Sequence, residues 1–172
     1  MSELTYVAVK EPEHIAELAN YAEGIFREYF SGFHPADKVE YLVKHLLSID
    51  TLIRSIADEG YEYYFVDDEL EHVGFIGIKD YGDHLFLSKL YLQKDARGKG
   101  YGRKEFEFVK QRARELGLPK IRLTVARDND ASWQKYLHMG FEIVDEVDSE
   151  VGEGFQMNDY IMECPVEIDA PS

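Results

Sequence analysis

The sequence predicts an α/β (α+β) fold, a single domain on one mixed sheet of about six to seven strands, flanked by about four to five helices. The sheet is expected to be mostly antiparallel, with one parallel pair at its centre. Three observations predict this. The first third of the chain carries apolar residues at helical spacing, and from Gly60 the pattern changes to aromatic and β-branched runs. From Leu85 to Val125 the chain reads strand, glycine-rich turn, helix, strand, a crossover that makes its two strands parallel. No internal repeat, low-complexity tract or linker divides the chain.

Tyr6 to Lys10 alternates weakly and is expected as a short first strand. Pro12 suits a first helical turn, and Ile15, Leu18, Ala22, Ile25 and Tyr29 follow at helical spacing. Ser31-Gly32-Phe33-His34-Pro35 breaks that helix. A second helix runs through Val39, Leu42, Val43 and Leu46, and after a break at Ser48-Ile49-Asp50 a short third one reaches about Glu59. Tyr61 to Val66 is a strand by composition. Asp67-Asp68-Glu69 turns the chain into Val73–Lys79, which returns antiparallel. Tyr81-Gly82-Asp83 turns it again into Leu85–Leu92, apolar on both faces and so expected in the middle of the sheet.

The helix after the glycine turn shows Gly102, Phe106, Val109, Ala113 and Leu116 on one face, and Gly117 with Pro119 ends it. Ile121, Leu123 and Val125 form the strand parallel to the central one. Asn129-Asp130 opens a short helix to about Met139, with Gly140 as its C-cap and Trp133 as core packing. Two last strands, about Phe141–Val147 and Phe155–Cys164, are expected to flank an acidic, glycine-containing loop.

Composition bounds the function. The chain has 172 residues, 45% of them hydrophobic, enough for one domain with its own core. No apolar run reaches the length of a membrane span, and Met1-Ser2-Glu3 lacks the basic and apolar parts of a signal peptide, so a cytoplasmic location and no membrane partner are expected. A net charge of −15 argues against nucleic acid, whose phosphates it repels, and suits a cationic substrate as well as plain solubility. The lone Cys164, between Glu163 and Pro165, reads as a structural thiol.

Against that negative background stands the cationic stretch Arg97-Gly98-Lys99-Gly100-Tyr101-Gly102-Arg103-Lys104. Alternating glycines at a strand-to-helix junction leave backbone N–H groups uncovered, and a helix N-terminus adds partial positive charge, which suits a phosphate or pyrophosphate. The same residues also suit an ordinary turn eased by glycine. A magnesium-binding P-loop needs Ser or Thr after its lysine, where Gly100 stands, and a dinucleotide fingerprint beginning at Gly98 needs glycine where Arg103 stands.

A second constellation follows: Asn129, Ala131-Ser132, Tyr136 and Gly140-Phe141. With Arg97-x-x-Gly100-x-Gly102 and the order of elements, it resembles the GNAT superfamily of acetyl-CoA-dependent N-acetyltransferases, over about residues 4 to 165 of a single domain spanning 1–172. The resemblance implies that the two parallel strands splay apart. It implies that acetyl-CoA is the co-substrate, with Arg97, Gly98, Lys99, Gly100, Tyr101, Gly102 and Arg103 at its pyrophosphate, and Asn129 and Ser132 beside it. Leu90, Tyr91 and Leu92 would pair with its pantetheine arm like an added strand. Tyr136 would be the general acid for the leaving thiolate. The general base is left between His84 and His34, or a water chain, because Phe86 occupies the position where some protein-acetylating relatives carry glutamate. No metal is implied.

Gly60 to Phe65 and Met157 to Met162 are similar to a bacterial branch that includes spermidine/spermine acetyltransferases. A small primary amine, with polyamine as one candidate, is the acceptor that branch implies, and a homodimer through the last strands its assembly. An acyl-CoA sensor, a catalytically silent domain and a protein N-acetyltransferase are the alternatives.

Overall fold

Seven strands hydrogen-bond in the order β1-β2-β3-β4-β5-β7-β6, in a computed structural model that describes residues 3–167. They are β1 (Leu4–Ala8), β2 (Tyr61–Asp68), β3 (Glu71–Asp80), β4 (Leu85–Leu92), β5 (Lys120–Ala126), β6 (Glu142–Gly152) and β7 (Phe155–Pro165). The helices are α1 (Pro12–Phe30), α2 (Ala36–Leu46), α3 (Ile49–Ala57), α4 (Tyr101–Leu116) and α5 (Asp130–His138), with a 3-10 turn at Lys94–Ala96. The mixed sheet with its one parallel pair is the expected fold class.

The chain forms two compact units, one of the residues up to Lys79 with Lys89–Phe108, the other of Asp80–Ser88 with the described residues from Val109 on. β4 and α4 each contribute to both. In the first unit, α1 begins on Pro12 and buries Ile15, Leu18, Ala22, Ile25 and Phe26 along one stripe. α3 starts where Ser48 caps it, its hydroxyl accepting from Thr51 N at 3.2 Å. Val73 to Ile78 of β3 are buried on both faces. β4 has the middle place in the sheet order, as expected; Ser88 to Tyr91 on it are half-buried, and the most deeply covered strand is β3.

In the second unit, Leu85 and Leu87 of β4 are nearly inaccessible, as are Val109, Ala113, Ile121, Leu123, Phe141 and Met162. Cys164 is buried there as a free thiol. The end of the chain departs from expectation. β6 continues through the acidic stretch as far as Gly152, in antiparallel register with β7 to the pair Gly152↔Phe155. A backbone ladder holds this strand without an apolar face, so composition reads it as loop. The β2–β3 turn also falls later than expected, after the pair Asp68↔Glu71.

Candidate active site

β4 carries the first part of the site. Its parallel register with β5 consists of two pairs among the described residues, Leu85↔Ile121 and Phe86↔Arg122. Further along, Gln93 N donates to Val73 O at 2.8 Å, and the carbonyl of Tyr91 lies so close to Gly74 that a Cβ there would come within 2.2 Å of it. Residues 91 and 93 therefore turn their backbone polar groups toward β3. Strand alternation turns those of Leu90 and Leu92 the other way. Leu90 thus offers an amide and a carbonyl on the edge opposite β3, and the Leu92 carbonyl accepts from Arg97 Nε at 3.0 Å.

The glycine turn follows directly. Gly98 and Gly100 hold φ of 78° and 83°, the left-handed region that only glycine enters without strain, and α4 begins at Tyr101. Lys104 N reaches back to Gly100 O at 3.4 Å. The uncovered amides and the helix N-terminus therefore coincide, as an anion site requires. Lys99 and Arg103 are exposed beside it, whereas the Lys104 ammonium lies over the Tyr101 ring. Tyr101 donates its hydroxyl to Asp68 Oδ2 at 2.7 Å, which raises the phenol pKa. Gly102 is buried in the first turn of α4.

Arg97 is differently engaged from what the motif alone suggests. Its guanidinium donates to both carboxylate oxygens of Glu28 on α1, at 2.6 and 3.2 Å, and lies 5.5 Å from the Tyr29 ring centroid. The anion that Arg97 meets is thus a carboxylate of α1. The Tyr91 ring meets Phe26, Tyr29 and Phe30 of the same helix at 6.1, 5.5 and 6.3 Å. His34 stacks on Phe30 at 5.5 Å, so the first unit brings that histidine within two ring contacts of β4.

The second unit holds the other motif. Asn129 is buried, and its side-chain oxygen accepts from Ser132 N at 3.4 Å, capping α5. The Tyr136–Phe141 spacing is a C-cap: Phe141 N bonds to Tyr136 O at 3.0 Å across Gly140, and the two rings meet edge to face at 5.4 Å. Tyr136 is thereby fixed and half-buried on the last turn of α5. Trp133, half-buried, donates to Arg127 O at 3.1 Å and meets Tyr160 edge-on. His84 is buried before β4, its Nδ1 2.6 Å from Asp83 Oδ1 and its ring stacked on Tyr81, a pairing that lowers the Asp83 pKa.

One residue the motifs do not flag is Lys89. It donates to Tyr63 Oη at 3.1 Å, and loss of hydration pulls its pKa down to about 8. Burial, reinforced by the charge of Glu59, pushes the Tyr63 phenol up. Among the described residues no group of three His, Cys, Asp or Glu could hold a metal ion, and no helix is long and apolar enough to cross a membrane.

Comparison with known proteins places these features in a family. The model of the acetyltransferase (GNAT) family matches residues 20–141. The uncharacterised N-acetyltransferase YjgM of Escherichia coli (strain K12) is 30% identical over 102 residues, which cover 57% of this chain and 61% of that protein. The chain thus matches under two thirds of that relative's length. The PaiA N-acetyltransferase of Thermoplasma acidophilum, solved with coenzyme A, superposes with a TM-score of 0.75 at 20% identity, covering 96% of this chain and 99% of that one. A chimera of the spermidine N-acetyltransferase SpeG from Vibrio cholerae and hSSAT superposes at 0.68 and 18% identity, covering 95% and 96%. At such identities the likeness is one of fold.

Proposed function

The chain belongs to the acetyltransferase (GNAT) family, and from that premise we propose that it transfers the acetyl group of acetyl-CoA to a primary amine of a small molecule, by direct attack in a ternary complex. The observation that carries the reading is the continuity of β4 with the glycine turn. Backbone groups at Leu90 face away from β3, and a few residues later Gly98 and Gly100 open amides at the start of α4. An extended arm with amides, ending in a diphosphate, fits that sequence of sites.

Acetyl-CoA supplies an acyl group activated as a thioester. In this reading the amides at Gly98–Gly100 hold the diphosphate, with Lys99 and Arg103 adding charge, and Arg97 exchanges Glu28 for phosphate. Leu90 and Leu92 align the arm by main-chain pairing. The Tyr136 hydroxyl gives its proton to the departing thiolate as the new C–N bond replaces C–S. The proton leaving the amine goes to His34, directly or through water; the aromatic path from His34 to Tyr91 favours it over His84, which is paired with Asp83. Attack through a cysteine is not part of this reading, since Cys164 is buried and burial pushes its pKa up.

The charge of −15 draws cationic amines in general, polyamines among them. A homodimer through the last strands belongs to the same proposal, supported by β6 ending the sheet order with Ile143 and Val144 exposed.

Thiol release from acetyl-CoA with a panel of amines tests the reading. Tyr136→Phe is expected to lower turnover about ten- to a thousand-fold, the range for lost acid catalysis, while acetyl-CoA still raises the melting temperature. Unchanged turnover would remove Tyr136 from the mechanism. Stabilisation by acetyl-CoA with no thiol release from any amine would make this a binding domain instead.

A further inference from the structure

Lys89 is an ammonium group where the packing asks for a hydrocarbon. It follows Leu85 and Leu87 and precedes Tyr91 on alternate positions of β4, and Tyr91 meets the rings of α1. The group is nonetheless built in. On β2, Tyr63 stands opposite Gly77 of β3, and a Cβ at Gly77 would come within 2.7 Å of Tyr63 Cε1. The missing side chain therefore leaves a slot, and the Tyr63 ring, 3% exposed, lies across it. Its hydroxyl reaches over β3 to accept from Lys89 Nζ at 3.1 Å, and the ammonium stands 5.6 Å from the ring centroid.

Holding a half-buried cation there costs hydration. With its pKa at about 8, the amine is still mostly protonated at neutral pH. Three residues on three strands thus agree in presenting one positive charge on a strand that an apolar residue would pack better. Such a departure from local rules marks function more often than stability.

Its place along β4 says what it meets. In the acetyl-transfer reading, on which this inference rests, the diphosphate is at Gly98–Gly100 and the arm passes Leu92 and then Leu90, so the acyl end comes to the Lys89 end of the run. We propose that Lys89, held by Tyr63 across Gly77, binds a carboxylate carried by the acceptor, which makes the acceptor an amino acid or a similar carboxylated amine. The overall negative charge acts at long range and is screened within about 8–10 Å in physiological salt, whereas Lys89 acts at contact. A second ammonium of a polyamine beside Lys89 would be repelled.

Matched pairs test this: β-alanine against β-alaninamide, γ-aminobutyrate against its amide, and L-amino acids against their amides, with spermidine alongside, all by thiol release. At least one carboxylate is expected to exceed its amide ten-fold or more in kcat/KM, chiefly through KM. Lys89→Met should bring that ratio to about one, and Lys89→Arg should retain part of it. Lys89→Gln serves if the Met variant does not fold, as judged by thermal melting. Equal rates for every carboxylate and its amide, a preference that survives Lys89→Met, or spermidine as the best acceptor would each overturn the inference alone. No thiol release with any amine would remove the acetyl-transfer reading, and this inference with it.

Discussion

His72 is held between two carboxylates, Asp67 Oδ1 at 2.5 Å and Glu17 Oε1 at 3.0 Å, with its ring stacked 3.8 Å from Phe65. Burial lowers the imidazolium pKa, but the hydrogen bonds and charges of Asp67 and Glu17 raise it, and the net shift is upward. A raised folded-state value means that the folded chain holds this proton more tightly than the unfolded one. The stabilisation is complete below the unfolded value of about 6.5 and is lost as pH rises through the folded value. His72→Gln is therefore expected to lower the urea midpoint clearly near pH 5.5 and little near pH 9. An equal loss at both would show that the proton plays no part. Residues of this kind differ in how far the sequence betrays them. Asn129, Gly140 and Gly100 were legible because each answers a local backbone need, a cap or a left-handed turn. Lys89 was not, since its partner Tyr63 is 26 positions away and the slot between them is made by a glycine on a third strand. Glu28 was hidden likewise, meeting Arg97 across 69 positions.

Among the elements, the β6–β7 hairpin shows how a backbone ladder overrides composition. Its tip is the two-residue turn Glu153-Gly154 between Gly152 and Phe155, and Glu153 holds φ of 51°. Hairpin turns of this length favour asparagine before glycine, because asparagine enters the left-handed region at lower cost than glutamate. Glu153→Asn is expected to stabilise the tip by about 0.5–1 kcal/mol. Amide hydrogen exchange at Glu150 and Gln156 should slow correspondingly, and unchanged exchange would mean that the turn does not limit opening. Helix α1 was legible from apolar spacing and from Pro12 at its start, whereas α3 begins at Ile49, inside the break expected at Ser48-Ile49-Asp50, because the Ser48 side chain caps it. The second half of β6 was not, for Asp148, Ser149 and Glu150 in succession are all exposed and leave no period to read.

Across the whole molecule, a charge of −15 opposes compaction. Ion pairs such as Arg27–Glu40 and Arg27–Glu23 relieve it locally, and exposed pairs of this kind are worth little each. Raising ionic strength from about 0.01 to 0.15 M shortens the screening length from about 30 to about 8 Å. The melting temperature is expected to rise over that range; a fall would mean that attractive pairs outweigh the repulsion. The crossover from β4 through α4 to β5 was readable in the chain, because a helix between two strands fixes their direction. That β7 enters between β5 and β6 was not, as strand order depends on which edges remain after the earlier pairs have formed. The solitary sulfur of Cys164 has a practical consequence. It is shut away at 6% exposure, so in the proposed acetyl transfer a thiol-sensitive dye added to the folded chain would register released coenzyme A alone. The same dye becomes a tally of molecules that have opened once heat or denaturant is applied, and one reagent can follow both turnover and collapse.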